Sequence, residues 1–533
     1  MGQSRLGHRG WWKMILRPLL AVTAAAFLLS ACAVKPKEFG DADRQARAQN
    51  DLQTMFLDQE PLLNGLEFHE AIARGLKYNL DKRLKLMERS LAEAGSRNAT
   101  YDLLPQLAAR AGYKGRDSFS SSNSLNTDTG VRTTVFTTSA DQRSGAAELA
   151  LVWNFLDFGL SYVNAQQESE RARIAAERRI KVVQNLMVDV RDAYWRAAAA
   201  QRLIPRVSRQ IKRVDGTIAR SKQSIKEGLS DPAKELKVQL ALLNHMAKLQ
   251  DVRRKLSLAK VELAALINLP PGTEYRLKLR KRSLHVPHVK ADMFELYELA
   301  LQNRPELRQE DYEKIIADLE VKKSKLRILP GVEIRVSRNY DSNSFLKESL
   351  WASVGGLVTK NLMELVRGPA NIKYSKTNVE VANARRRALS MAVITQVHIA
   401  TIRYGLAKGN FANKNRTFQT ADKLSRVLKN SVDGDDVSPI EALEAESKRT
   451  VALIEYYAAY ADVQNAYGRI LNSMGSHRFP ESVERLSVTE LTEWLQGKVD
   501  SWQPIVSDLE VDGQSYGAPT IVRVQPTTRP SKS

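Results

Sequence analysis

Residues Ala146–Gly159 read AAELALVWNFLDFG, and the change of period at the end of this stretch decides the fold. Ala147, Leu149, Leu151, Trp153 and Phe155 fall on one side of an extended chain; Glu148, Ala150, Val152 and Asn154 fall on the other. Successive side chains of a strand point to opposite faces, so the spacing predicts a strand with one apolar and one polar or small face. After Gly159 the apolar steps become three and four residues (Val183, Leu186, Val190, Tyr194, Ala197) and continue to about Gly228. That is helical spacing. Pro205 and Gly216 inside the run predict a bend rather than a stop. A helix over about 159–228 extends roughly 100 Å, far more than a domain is wide.

Working outward, Leu107, Ala109, Ala111 and Tyr113 alternate with Ala108, Arg110, Gly112 and Lys114, which predicts a strand over about 106–116 paired with one over about 146–157. The Ser/Asn/Thr-rich stretch Ser118–Ser139 between them reads as a loop. Residues 66–103 have helical spacing and end at Leu103-Leu104-Pro105. Past Gly228, about 232–268 reads as a partner helix.

The same order then recurs. It runs through a helix over 291–329, strands over about 331–341 and 348–358, a long helix over about 369–430 and a partner over 439–474. Asn79 falls on Asn303, Leu104-Pro105 on Leu329-Pro330, Tyr194 on Tyr404, and Leu266-Ile267-Asn268 on Ile470-Leu471-Asn472. The offset shrinks while the order is kept, so a segment was shortened between preserved flanks. Two diverged copies follow, 61–272 and 291–475, joined by a linker at 273–290. The fold class is mainly α with a small β part, built from duplicated helix–β-hairpin–long helix–helix units.

The 533 residues carry 81 Lys+Arg against 60 Asp+Glu, a formal net charge of +21, with one Cys and seven His. A single Cys excludes an internal disulfide framework and a cysteine zinc ribbon. The basic residues are scattered over helix faces among acids, which does not favour a nucleic-acid partner. Arg5, Arg9, Lys13 and Arg17 precede the apolar run Pro18–Leu29, as in an export signal over 1–31. Leu29-Ser30-Ala31-Cys32 resembles a lipobox, which makes Cys32 the candidate lipidation site at the head of a segment 32–60. The extension 476–533 ends in Pro, Thr and Ser and is expected to be partly disordered.

A stripe on a helix of roughly 100 Å needs neighbours along its whole length. On alternation alone, the strands fit equally a membrane barrel or two soluble hairpins with one buried face. Four strands cannot close a barrel in lipid, so in the first case several chains must share one.

At this point the sequence resembles the outer-membrane efflux protein family of TolC type over about residues 60–475. The residues that carry the resemblance are Leu29–Cys32, the duplicated helix–Asn–Leu-Pro–strand starts, Trp153–Gly159, and Ala193-Tyr194-Trp195-Arg196-Ala197-Ala198-Ala199. Glu227–Ser230 and Val437–Ala442 resemble its helix-turn-helix tips. The resemblance implies a homotrimer with a 12-stranded β-barrel in outer-membrane lipid and a long periplasmic α-helical barrel. Its tip would dock a periplasmic adaptor protein driven by an inner-membrane pump. Two departures stand out: Arg367-Gly368-Pro369 replaces an aromatic-Gly, and Asp231-Pro232 replaces the usual Arg-Leu-Ser at the first tip.

Such a conduit is not an enzyme and needs no cofactor. Gly228, Leu229, Ser230, Val437 and Ser438 are the candidate adaptor-docking residues, with helix capping by Ser230 or Ser438 as the plainer reading. Asp433, Asp435 and Asp436 would form carboxylate rings in a trimer, or simply a solvated acidic turn. His285 and His288, the close histidine pair, have no neighbouring Cys or carboxylate to complete a metal site. The competing function is a periplasmic coiled-coil adaptor or structural lipoprotein, which would have a single hairpin between β-domains.

Overall fold

The computed structural model describes residues 38–62, 65–278, 284, 286–287, 292–433, 439–475 and 483–507. Two compact units emerge, dividing between Gln59 and Glu60. The first contains helix α1, Asp41–Thr54, at whose start the Asp43 carboxylate accepts from the Gly40 amide at 3.1 Å. Both sequence copies lie in the second unit and do not form separate bodies.

Helix lengths make the duplication plain. In the first copy α2 spans Phe68–Tyr78 and α3 spans Leu80–Tyr101, 11 and 22 residues. In the second, α6 (Met293–Asn303) and α7 (Pro305–Leu326) have the same lengths. The long helices are α4, Phe155–Lys226, and α8, Met363–Asp433, of 72 and 71 residues. Their partners α5 (Pro232–Leu266) and α9 (Pro439–Ser473) are both 35 residues.

The single helices expected over 66–103 and 291–329 are each broken once, at Asn79 and Arg304. Asn79 leaves the helical region (ψ 127°), and its side chain accepts from the Lys82 amide as the N-cap of α3. Arg304 is extended because Pro305 follows and disfavours helical backbone before it. The long helix starts earlier than expected, at Phe155. There the Asn154 side chain accepts from the amides of Leu156 and Asp157 and turns strand into helix. The helix runs through Pro205 and Gly216 without a stop.

The strands are β1 (Gln106–Gly115), β2 (Ser121–Ser122), β3 (Thr137–Thr138), β4 (Arg143–Asn154), β5 (Gly331–Asp341) and β6 (Leu350–Thr359). The two-residue β2 and β3 pair inside the stretch expected to be plain loop. The four long strands form one antiparallel sheet, β1-β4-β5-β6. The link between copies is the β4–β5 pairing, with Leu151 opposite Val336. The two hairpins therefore form one continuous sheet.

Helices α3 and α5 pack along α4, and α7 and α9 along α8, as two short helices beside each long one; α4 also packs against α7 and α9 of the other copy. The cores follow this rod. One is built on Ile72, Leu76, Val190, Tyr194, Ala197 and Leu263. A second uses Val393, Val397, Tyr404, Val463 and Ile470. The small residues Ala193, Ala197 and Ala200 are fully buried, which lets neighbouring helices approach α4 closely. Gly368 has the same use: a Cβ there would lie 2.7 Å from the Ile328 side chain.

The carboxyl-terminal extension contains one further ordered element. A 3₁₀ turn, Val483–Arg485, leads into α10, Val488–Ser507. Val483, Val488, Leu491 and Leu495 join the core around α2. Among the described residues, no helix is long and apolar enough to cross a membrane.

Candidate functional site

The sheet register sorts residues by chemistry. One row crosses all four strands as Leu107, Leu151, Val336 and Val354. The row on one side of it is Ala109, Leu149, Arg338 and Ala352. On the other side, Trp153 lies opposite Ile334. This face is apolar and open, with Leu107 68% and Val354 77% exposed. Aromatic side chains mark both of its ends. Tyr113 and Tyr340 stand at the loop end; Trp153 packs with Phe155 (5.0 Å) and Phe158 (5.9 Å) at the helix end. From Tyr340 to Ile334 is six residues, about 20 Å of strand. Arg338 is the exception on this face, two residues from Tyr340 and so near the end of the band, where a long cation can reach polar surroundings.

The opposite face carries the sheet's polar network, with Trp351 and Leu357 as apolar members on β6. Arg335 donates to Glu148 at 2.6 Å, and Arg110 lies 3.9 Å from the same carboxylate. The Ser337 and Ser353 hydroxyls meet at 2.8 Å, and Asn339 donates to both. At the loop end the hairpins are fastened together. The Asp141 amide donates to Asn343 at 3.0 Å, and the Ser344 hydroxyl donates to Asp141 at 2.8 Å. Strands β1 and β6 are the outer strands of the sheet.

At the far end of the rod lies the α4–α5 tip. The Leu229 amide donates to Ser224 O (3.0 Å) and the Gly228 amide to Ile225 O (3.1 Å). This pair of bonds closes the helix, and it needs a left-handed residue, which Gly228 supplies at φ +69°. Ser230 does not cap α5. Asp231 does, accepting from the Ala233 amide with Pro232 in the first turn, while the Ser230 hydroxyl meets that of Ser224 at 2.8 Å. Leu229 is 74% exposed. Of the second tip, Asp433 ends α8; Asp435, Asp436, Val437 and Ser438 lie outside the described residues. Cys32, His285 and His288 also lie outside them.

Between sheet and tip, several buried charges were not legible in sequence. Lys82, 2% exposed, donates to Glu484 at 2.5 Å, and Arg179 reaches the same carboxylate at 3.4 Å. Burial pushes the Lys82 ammonium down against the pull of Glu484. Burial pushes Glu484 up, but the Lys82 contact outweighs it and holds the carboxyl below its ordinary range. Burial thus weighs more on Lys82 than on the more open Glu484. Arg191 is buried between Phe68 (4.8 Å) and Tyr467 (5.5 Å), so aromatic faces replace a carboxylate as its partner. Among the described residues, no group of three His, Cys, Asp or Glu could hold a metal ion.

The arrangement offers a two-faced sheet at one end and exposed helical turns at the other, which suits a wall and a contact surface. Residues 84–269 match the family model described as outer membrane efflux protein. The fold is that of solved outer-membrane channels. The outer-membrane channel OprN is 16% identical, with a TM-score of 0.59 over 77% of this chain and 90% of that one. The Campylobacter jejuni CmeC outer membrane channel is 12% identical, with a TM-score of 0.61 over 85% and 95%. The open state of the Neisseria gonorrhoeae MtrE outer membrane channel is 15% identical, with a TM-score of 0.59 over 76% and 88%. No curated protein matches the chain.

Proposed function

We propose that this chain, with the fold of outer-membrane channels and a match to the outer membrane efflux protein family over residues 84–269, is the outer-membrane channel subunit of a tripartite efflux or type I secretion system. Three copies would give twelve strands, β6 of one chain pairing with β1 of the next, and a barrel with no unpaired edge. The apolar face meets lipid and the Arg110–Glu148–Arg335 face lines the water-filled passage. The helices continue the conduit into the periplasm as a second barrel. It is a passive path and not an enzyme; energy comes from an inner-membrane pump through a periplasmic adaptor.

The observation that carries this reading is the open apolar band, framed by aromatics at both ends and backed by a polar face. An exposed apolar surface of this extent is unfavourable in water and matches a bilayer. Cys32 anchors the processed chain to the outer membrane through its lipid. Gly228, Leu229, Ser230, Val437 and Ser438 take the adaptor, and Asp433, Asp435 and Asp436 ring the periplasmic opening.

Purification from outer-membrane fractions, followed by single-channel recording in planar lipid, tests the assignment. A detergent-stable trimer that conducts is the expected result. Extraction as a lone subunit without detergent would overturn it in favour of a periplasmic coiled-coil lipoprotein.

A further inference from the structure

A cavity of about 790 Å³ lies two to four turns back from the Gly228 tip, walled by α4, α5, α8 and α9. Its lining is strongly basic. Some of that charge is neutralised internally: Arg213 pairs with Glu446 at 2.5 Å, Arg426 with Asp422 at 2.6 Å, and Arg449 with Asp422. Lys212 and Arg220 also line it and have no carboxylate partner among the described residues; Lys429 lines it too, one turn before Asp433 on α8. Lys212 and Arg220 are eight residues apart on α4, about 12 Å along one helix. Lys429 faces the same space from α8 of the other copy.

The lining also supplies fixed hydroxyls. Thr217, Ser221 and Ser425 are each under 10% exposed. The Arg220 guanidinium donates to the Thr217 hydroxyl at 2.8 Å, which holds it in place. Glu235 lines the cavity as well and accepts from the Ser221 hydroxyl, so its negative charge offsets one of the three cations and leaves the lining net positive. Thr217 and Ser221 spend their own protons on the Arg213 carbonyl and on Glu235, so the charge of the lining carries the site: uncompensated cations in a concave space raise the local concentration of anions. The volume is that of a small-molecule site.

We propose that this cavity is an oxyanion site for a small molecule with two or more phosphate-type or carboxylate groups, held between the two sequence copies by Lys212, Arg220 and Lys429. The assignment does not depend on the channel reading. A dianion spanning α4 and α8 ties the two helix pairs together near the end where they leave the rod.

The test is calorimetric titration of the purified full-length protein in detergent, at fixed ionic strength, with pyrophosphate and with citrate. The unaltered protein is expected to bind at least one of them saturably. The double variant Lys212→Gln/Lys429→Gln is expected to weaken that binding at least about tenfold, and Arg220→Gln to act in the same direction. Arg254→Gln, an exposed cation on α5 outside the cavity, is expected to change nothing. The substituted lysines are solvent-exposed, and an unchanged circular-dichroism melt verifies that each variant folds. Pyrophosphate binding without citrate identifies a phosphate-type ligand; the converse identifies a polycarboxylate. Absence of saturable binding, or equal affinity in the double variant, overturns the proposal. So does binding of an acidic peptide with no response to either small anion, which would make the groove a protein contact.

Discussion

Lys82 and Glu484 join residues four hundred positions apart, and the pair gives the carboxyl-terminal helix a pH dependence. Glu484 is held below its ordinary range, while in the unfolded chain it titrates near ~4.3. The ionised carboxylate therefore contributes stability at every pH above that value, and the contribution fades as pH falls through the lower folded value. Glu60 behaves alike: burial raises it, but Lys77 and the Val488 amide bring it below its usual range. Both carboxylates border α10. We expect amide exchange in 488–497, corrected for intrinsic rate, to be unchanged between pH 6 and 8 and to quicken below about pH 4. Glu484→Gln should quicken it at pH 7. Gly368 gives a second expectation. By helix propensity alone, Gly→Ala would stabilise α8 by about 1 kcal/mol. The Ile328 side chain, 2.7 Å from the added Cβ, reverses the sign. Gly368→Ala should cost about 1–3 kcal/mol in a denaturant melt, and Ile328→Ala in the same chain should recover part of it. None of these side-chain fates was legible in sequence, because Lys82 and Arg191 look like any cation on a helix until tertiary packing encloses them.

Secondary elements were far more legible than their junctions. The change from period two to period three-and-four fixed the strands and long helices to within a few residues, because each must present one face consistently along its length. The breaks at Asn79 and Arg304 were passed over, although Asn at a cap and Arg before Pro305 carry the signal. The β4–β5 pairing was not readable, since nothing local specifies which strands meet across nearly two hundred residues. Helix α10 was missed because the Pro/Thr/Ser end coloured the whole extension; Val488, Leu491 and Leu495 at three- and four-residue steps were the available sign. The two-faced sheet carries its own prediction. Val354 lies on the open apolar face in the row with Leu107, Leu151 and Val336, and Ser353 lies on the polar face. Val354→Arg places a cation toward lipid and should cost about 2–4 kcal/mol of insertion if that row sits near the bilayer midplane. Ser353→Arg should be tolerated. Recovery of each variant in washed outer membranes measures the difference, and equal recovery would remove the membrane assignment of this face.

At the scale of the whole molecule, the surfaces left open are those that neighbours must cover. Leu80, Leu84, Met87 and Leu91 recur at helical spacing along α3 and are 40–73% exposed. Such a stripe is stable only against another helix. Leu84→Glu with Leu91→Glu should convert the proposed trimer to monomer in analytical ultracentrifugation without altering the helical signal. Leu229 is exposed on a turn whose backbone is already closed by the Gly228 and Leu229 amides, so its side chain has no structural duty there. Leu229→Asp keeps those backbone bonds and changes only what a partner would meet. If the tip is a docking surface, this variant should still form trimers and conduct in planar lipid, yet export nothing in cells. A loss of conductance as well would mark the turn as part of the gate, because conductance in planar lipid requires no partner. Undiminished export would mean that docking energy lies elsewhere on the helices, and the tip residues would have to be given up as its site.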